Sequence, residues 1–252
     1  MLRVRDLAVG YGQEPVIEGV NLEVAAGRFI SLVGPSGSGK TSVLRAVSGL
    51  LRPLAGRVEL NGSRESLGFL FQDDALLPWR TARENVALGL RIRKYTREAA
   101  EREADAWIAR LGLEGLGERF PHELSGGQRK RVAIAQILAL KPKLLLMDEP
   151  FASLDAIVRT RITQELLNWV EREHLSVFLV THDLEEAVTV SDTVYLLSQG
   201  PRAHVLARYE VAIPRPRDIF ASRKHESFTP LLERIWQDMS AAMGGPEIGA
   251  IR

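Results

Sequence analysis

Eight residues, Gly34-Pro35-Ser36-Gly37-Ser38-Gly39-Lys40-Thr41, carry the spacing G-x-x-x-x-G-K-T. Glycines at these intervals let a backbone curl until successive N–H groups face one point. The N-terminus of a helix behind them adds positive potential. Such a loop holds the phosphates of a nucleotide. Lys40 is placed to reach the β- and γ-phosphates, and Thr41 to set its hydroxyl on Mg²⁺. A plain Gly/Ser-rich turn is the alternative. It is disfavoured because the match follows one predicted strand and precedes one predicted helix.

Two further segments bear on the same chemistry. Leu144-Leu145-Leu146-Met147-Asp148-Glu149-Pro150 is an apolar run ending in two carboxylates. Ligands of α/β sheets sit at strand carboxyl ends. Asp148 is expected to hold Mg²⁺ through water, and Glu149 to polarise an attacking water. Leu124-Ser125-Gly126-Gly127-Gln128 lies upstream. Ser125 suits a helix N-cap. Gly126 and Gly127 allow backbone to approach a phosphate, and the helix behind them would aim its positive end there.

The elements that must position these groups alternate between strand and helix. Leu2–Leu7 alternates apolar and polar residues, as a half-buried strand does. Val16–Val24 reads as a second strand broken at Gly19. Phe29–Val33 is mostly apolar and suits a buried parallel strand. Thr41–Val47 reads as a helix closing near Gly49, and Gly56–Leu60 and Leu67–Phe71 as further strands. From about Thr81 the texture becomes helical. Thr96 is a candidate cap, and Ala100, Ala104, Trp107, Ile108 and Leu111 share one face. Leu144–Met147 and Ser176–Thr181 restore the strand texture, with helical segments between them. That order argues a parallel sheet with crossover helices. Pro214–Asp218 breaks regular structure. A last helix is expected with Thr229 as cap, Pro230 in its first turn, and a stripe of Phe228, Leu231, Leu232, Ile235 and Met239. The segment after Met239 is expected to be mobile.

The 252 residues suit one large domain, or one domain with a lobe. Hydrophobic residues make up 45% and charged residues 26%, which excludes wholesale disorder. With 33 Lys+Arg against 32 Asp+Glu, the net charge is +1, so no general attraction to nucleic acid is expected. There is no cysteine, which excludes disulfides, thiolate metal sites and a thiol nucleophile. No apolar run approaches the roughly 18 residues of a spanning helix, and the charged start is unlike a signal peptide. The expectation is a chain neither exported nor membrane-spanning by itself.

With the phosphate loop, acid pair and Ser125–Gln128 segment in this order, the chain resembles the nucleotide-binding subunit of an ATP-binding-cassette (ABC) transporter over residues 1 to about 215. The resemblance implies an α/β fold: a P-loop NTPase cassette with a mixed, mainly parallel sheet, a small antiparallel β lobe, and a helical subdomain at about 81–135. Residues 216–252 form a helical extension. It implies ATP hydrolysis with Mg²⁺ by a head-to-tail pair of chains. In that pair the phosphate loop of one chain and Ser125, Gly126, Gly127 and Gln128 of the other hold each ATP.

By the same resemblance Tyr11 looks like the aromatic that stacks on adenine. Gln72 looks like the glutamine that touches Mg²⁺ and water and senses the membrane partner. Ser153-Leu154-Asp155 looks like the loop that communicates between subunits, and His182 like the switch histidine aimed at the γ-phosphate and Glu149. There is one departure. The usual pattern has Gln where Lys130 stands and Arg where Gln136 stands; Gln136 removes a cation from the helix after Gln128, which could weaken a local ion pair and slow turnover.

Gln72-Asp73-Asp74-Ala75-Leu76-Leu77-Pro78-Trp79 is similar to the importer branch for nitrate, aliphatic sulfonates and taurine. Pro78 and Trp79 would form an exposed apolar knob suited to a protein partner, here a short coupling helix of a permease. The resemblance implies a homodimer on the cytoplasmic face of the plasma membrane, attached peripherally to an integral-membrane permease. A periplasmic or lipid-anchored solute-binding protein is implied indirectly. The basic residues of the tail, among them Arg215 and Arg217, are expected to be solvated surface. The alternative function is a soluble ABC-type ATPase acting on nucleic acid or ribosomes. It is disfavoured by the near-zero charge and by a single loop and single signature only 85 residues apart. A generic P-loop kinase or GTPase would leave residues 124–128 unexplained and lacks an Asn-Lys-x-Asp motif.

Overall fold

The structure is a computed structural model, described for residues 1–12, 14–152 and 154–243. Gln13, Ser153 and the last nine residues of the tail lie outside these. Two sheets organise the chain. In the first, β1 (Leu2–Tyr11) lies between β2 (Glu14–Val24) and β4 (Ala55–Leu60), antiparallel to both. This is the small antiparallel lobe expected from the sequence. Gly19, at φ +65°, sits in β2 and does not end it.

The second sheet has six strands. β3 (Phe29–Val33), β5 (Leu67–Leu70), β6 (Leu144–Asp148), β7 (Ser176–Val180), β8 (Thr193–Leu197) and β9 (Val205–Glu210) lie in the order β5-β6-β7-β3-β8-β9. Five are mutually parallel, and β9 runs antiparallel to β8. Every residue of β3, β6, β7 and β8 is buried, as strands covered on both faces require. Their apolar side chains divide between the two faces of the sheet, where they join three clusters. Ile30, Leu32, Leu144, Leu146, Phe178 and Val180 meet the antiparallel lobe and α1 (Lys40–Ser48). Leu145, Met147, Val177 and Leu179 meet the helical side.

On that side lie α2 (Ala82–Ile92), α3 (Arg97–Arg110), α4 (Gly126–Leu138) and α5 (Ala156–Arg172). Thr81 caps α2, and Thr96 caps α3 by accepting from Ala99 N. Ala100, Ala104, Trp107, Ile108 and Leu111 are buried together, as their spacing predicts. Trp107 packs against Trp169 of α5, with ring centres 5.1 Å apart. The helical residues therefore share one apolar cluster with the sheet.

A third cluster joins α6 (Leu184–Val190) and α8 (Phe228–Ala242) to β8 and β9, with α7 (Ile219–Lys224) between. Two expectations are corrected here. The last helix begins one residue before Thr229, with Ser227 at the cap position. Pro230 is its third residue, and the helix continues past Met239 to Ala242. Of the tail arginines, Arg217 is buried and Arg215 is partly buried, so neither is simply solvated surface. Arg217 is 6% exposed and donates to Ser191 O at 2.7 Å, and Arg215 grips Asp192 at 2.6 and 3.0 Å. Residues 213–218 are irregular, as their prolines require, but they are pinned by these cations to the amino end of β8. No helix among the described residues is long and apolar enough to cross a membrane.

Candidate functional site

The carboxyl ends of β6, β7 and β3 lie side by side. Asp148 pairs in register with Val180, Leu32 with Val180, and Thr181 N donates to Leu32 O at 3.3 Å. The segments leaving these strands are thus brought to one place: residues 34–41 after β3, Asp148 and Glu149 at the tip of β6, and Thr181 and His182 after β7.

The phosphate loop curls as its glycines permit. Gly37 and Gly39 have φ +76° and +89°, and α1 begins at Lys40 directly after Gly39. Lys40 is buried. Its ammonium donates to Gly34 O at 2.9 Å and Pro35 O at 2.8 Å, which draws the side chain back over its own loop. Burial holds its pKa below the ordinary lysine value, against the pull of Glu149 and Asp148. Pro35 and Ser38 are buried and Ser36 is exposed. Ser38 Oγ is buried and finds no hydrogen-bond partner among the described residues. An orphaned hydroxyl inside a curl of backbone, beside an ammonium and at the head of a helix, is suited to an anion.

Thr41 Oγ1 donates to Asp148 Oδ1 at 2.9 Å. Burial raises the Asp148 pKa, and the Thr41 hydrogen bond opposes that rise. Two hard oxygen donors at this distance, next to the anion-suited loop, fit a small divalent cation that completes its shell with water and phosphate oxygens. Glu149 leaves the strand at φ +43°, an uncommon left-handed conformation for glutamate, and its N–H donates to Val180 O at 2.8 Å. Pro150 disfavours ordinary helical backbone at the residue before it, consistent with this unusual exit. Glu149 Oε2 lies 3.0 Å from His182 Nδ1.

Tyr11 ends β1 beside α1. It is 60% exposed, and its hydroxyl accepts from Arg45 Nη1 at 3.2 Å. Gln72 and Pro78 are exposed and Trp79 is 70% exposed, so the knob expected at 78–79 is present. Beside this loop, β5, α2 and α4 enclose a groove of about 260 Å³ lined by Phe69, Phe71, Leu88, Ile92, Ile137 and Leu140.

The Ser125–Gln128 segment stands apart. Ser125 caps α4 by accepting from Gln128 N, and Gln128 Oε1 accepts from Ser125 N at 2.9 Å. Gly126 and Gly127 are its first two helical residues. No hydrogen bond or ion pair among the described residues joins 125–128 to 34–41. Asp155 caps α5 by accepting from Val158 N at 3.0 Å.

Two side chains near the site were not anticipated. Arg159 donates to Leu154 O at 3.2 Å and lies 3.5 Å from Asp183 Oδ2, which connects the loop before α5 to the loop of His182. Glu186, in α6, joins Glu149, Thr181 and His182 around a cavity of about 50 Å³. Its position shortly beyond an apolar strand was the only available signal, and it is too common to single out a residue.

A family model described as ABC transporter matches residues 17–152. An aliphatic sulfonates import ATP-binding protein, SsuB 2 of Rhodococcus jostii, is 38% identical over 240 residues, covering 95% of each chain. A bicarbonate transport ATP-binding protein, CmpC of Synechocystis, is 40% identical over 231 residues, 89% of this chain and 35% of that one. A nitrate import ATP-binding protein, NrtC of Synechococcus elongatus, is 40% identical over 215 residues, 82% of this chain and 33% of that one. The chain thus spans about a third of the length of these two cyanobacterial relatives. Among solved structures, a bacterial ABC transporter cassette described as dimeric is similar at TM-score 0.75 and 32% identity, covering 85% of this chain and all of that one.

Proposed function

Since the chain belongs to the ABC transporter ATP-binding family, we propose that it hydrolyses ATP as the energy-coupling subunit of an importer of small anions. Nitrate, bicarbonate and sulfonates are the solutes its relatives are named for. The observation that carries the reading is the convergence of Lys40, Thr41, Asp148, Glu149 and His182 at three adjacent strand ends.

In this reading residues 34–41 cradle the phosphates, and Tyr11 stacks on the adenine. Thr41 and Asp148, with Gln72, hold Mg²⁺, which when bound neutralises phosphate charge. Glu149 takes the proton of the attacking water, and His182 fixes the Glu149 carboxylate through their 3.0 Å contact. Two chains pair head to tail, each supplying Ser125–Gln128 to the phosphates held by the other. The lack of any hydrogen bond or ion pair between residues 125–128 and 34–41 among the described residues supports this, as does the dimeric description of a similar cassette. Asp155 lies on the loop that faces the partner chain. The apolar groove between β5, α2 and α4, next to Gln72 and the Pro78-Trp79 knob, supports docking of an apolar permease helix. Residues 1–215 act as the cassette, with about 81–135 as its helical subdomain, and the remainder as an extension. The whole would sit on the cytoplasmic side of the membrane, fed through the permease by a solute-binding protein.

The test is ATP turnover by the purified chain with Mg²⁺, alone and with Lys40→Ala. Hydrolysis lost together with nucleotide binding in the variant is the expected result. Turnover that survives Lys40→Ala would refute the assignment of the loop.

A further inference from the structure

The function above gives Lys130 no task. It lies in the second turn of α4 and is fully buried. Its ammonium is 2.8 Å from Asp74 Oδ1 and donates to Gln72 O at 3.2 Å. The second Asp74 oxygen lies 3.6 Å from Arg129 Nε. A buried ammonium requires both a counter-charge and acceptors. Lys130 finds both on one short loop, at residues 72 and 74.

That loop comes after β5, an edge strand, and leads on to Trp79. The helix that holds the other end of the contact begins at the Ser125 cap, five residues from Lys130, about one and a half turns. Exposed ion pairs such as Arg5–Glu59, Arg97–Glu101 and Arg208–Glu210 can re-form through water. Lys130 has no such recourse. Sliding the 72–74 loop against α4 would strand a buried charge, so the contact resists relative movement in a way that an uncharged amide would not.

We propose that Lys130 is a positioning residue: its ammonium ties the first turns of α4 to the Gln72 loop, so that the two keep one relative placement. The inference rests on the proposed function and deepens it. In a head-to-tail pair Gln72 serves the chain's own nucleotide, and Ser125–Gln128 serve the partner's. The tie therefore joins the two composite sites, and joins both to the permease contact at Pro78 and Trp79.

The test uses the full chain and its Lys130→Gln, Asp74→Asn and Gln72→Ala variants, singly and paired. Trinitrophenyl-ATP reports binding, and MgATP turnover and thermal unfolding are measured alongside. Lys130→Gln is expected to lower kcat about tenfold or more, since small misplacements at a reacting centre are costly. Probe affinity is expected to stay within about twofold, because Lys130 does not touch the phosphate loop. The Asp74→Asn/Lys130→Gln pair leaves no stranded charge and is expected to regain Tm without regaining kcat. Adding Lys130→Gln to Gln72→Ala is expected to cost less than it does in the unaltered chain, because part of the effect of Lys130 runs through the placement of the Gln72 side chain. The inference is overturned by unchanged kcat in Lys130→Gln, by kcat recovering with Tm in the neutral pair, or by losses that multiply in Gln72→Ala/Lys130→Gln. Failure of the unaltered chain to bind the probe overturns the proposed function, and this inference with it.

Discussion

Glu149 Oε2 and His182 Nδ1 are 3.0 Å apart, although the two residues leave different strands and are 33 positions apart in the chain. Their meeting depends on β6 and β7 being parallel neighbours in a register that sets Asp148 beside Val180. The Glu149 N–H then closes on Val180 O, which fixes the carboxylate's backbone one residue beyond the strand. A candidate base held by a neighbouring strand is aimed before any substrate arrives, and that preorganisation is what the proposed chemistry needs.

The curl of the phosphate loop is tested by a single methyl group. A Cβ on Gly39 would lie 2.6 Å from Ile17 Cγ2 and 2.9 Å from Val16 Cγ1, at φ +89°. Gly39→Ala is expected to destabilise the chain by about 1–3 kcal/mol and to weaken nucleotide binding. Urea unfolding and fluorescence titration measure the two effects, and an unshifted midpoint would count against the loop geometry.

The Thr41–Asp148 contact predicts a selective loss. Thr41→Val removes a cation donor and the hydrogen bond that orients Asp148. The Mg²⁺ concentration for half-maximal turnover is expected to rise about 10–100-fold, while nucleotide binding in the presence of EDTA changes less than about twofold. Equal losses with and without Mg²⁺ would mean that Thr41 acts on the loop and not on the cation.

Burial pushes the Glu186 carboxyl up to about 7 from its ordinary 4.5, more than the Thr181 hydrogen bond lowers it. The native chain then holds this proton more tightly than the unfolded chain. The folded state is favoured below about pH 4.5 and loses that advantage as pH rises through about 7. Glu186→Gln removes the titration. Its stability relative to the unaltered chain is expected to improve by about 3 kcal/mol between pH 4.5 and pH 8. Urea unfolding at the two pH values decides this, and a difference that does not change with pH would exclude a raised Glu186 pKa.

Where chemistry was contiguous it was legible in the sequence. Residues 34–41 and 144–150 state their own geometry, because glycine spacing dictates the curl and an apolar run dictates a strand with its acids at the tip. The β–α alternation likewise sufficed for the parallel sheet. Burial of charge was not legible. Lys130 and Arg217 look like solvated cations in a linear reading, and only the fold brings Asp74 to one and Ser191 O to the other. The same is true of Arg159, whose partners Leu154 and Asp183 come from the separate loops that lead into α5 and α6. The cap at Ser227 was missed because it makes no side-chain hydrogen bond, so the Thr-Pro pair gave the stronger but misleading signal.

The most direct test of the central claim, that two chains complete each other's nucleotide sites and Glu149 acts only after they close, is the solution mass of Glu149→Gln with and without MgATP. The account predicts monomer without nucleotide and dimer with it, with turnover down about 10²–10⁴-fold. A variant that binds MgATP but stays monomeric, or that hydrolyses it at the unaltered rate, would contradict the account.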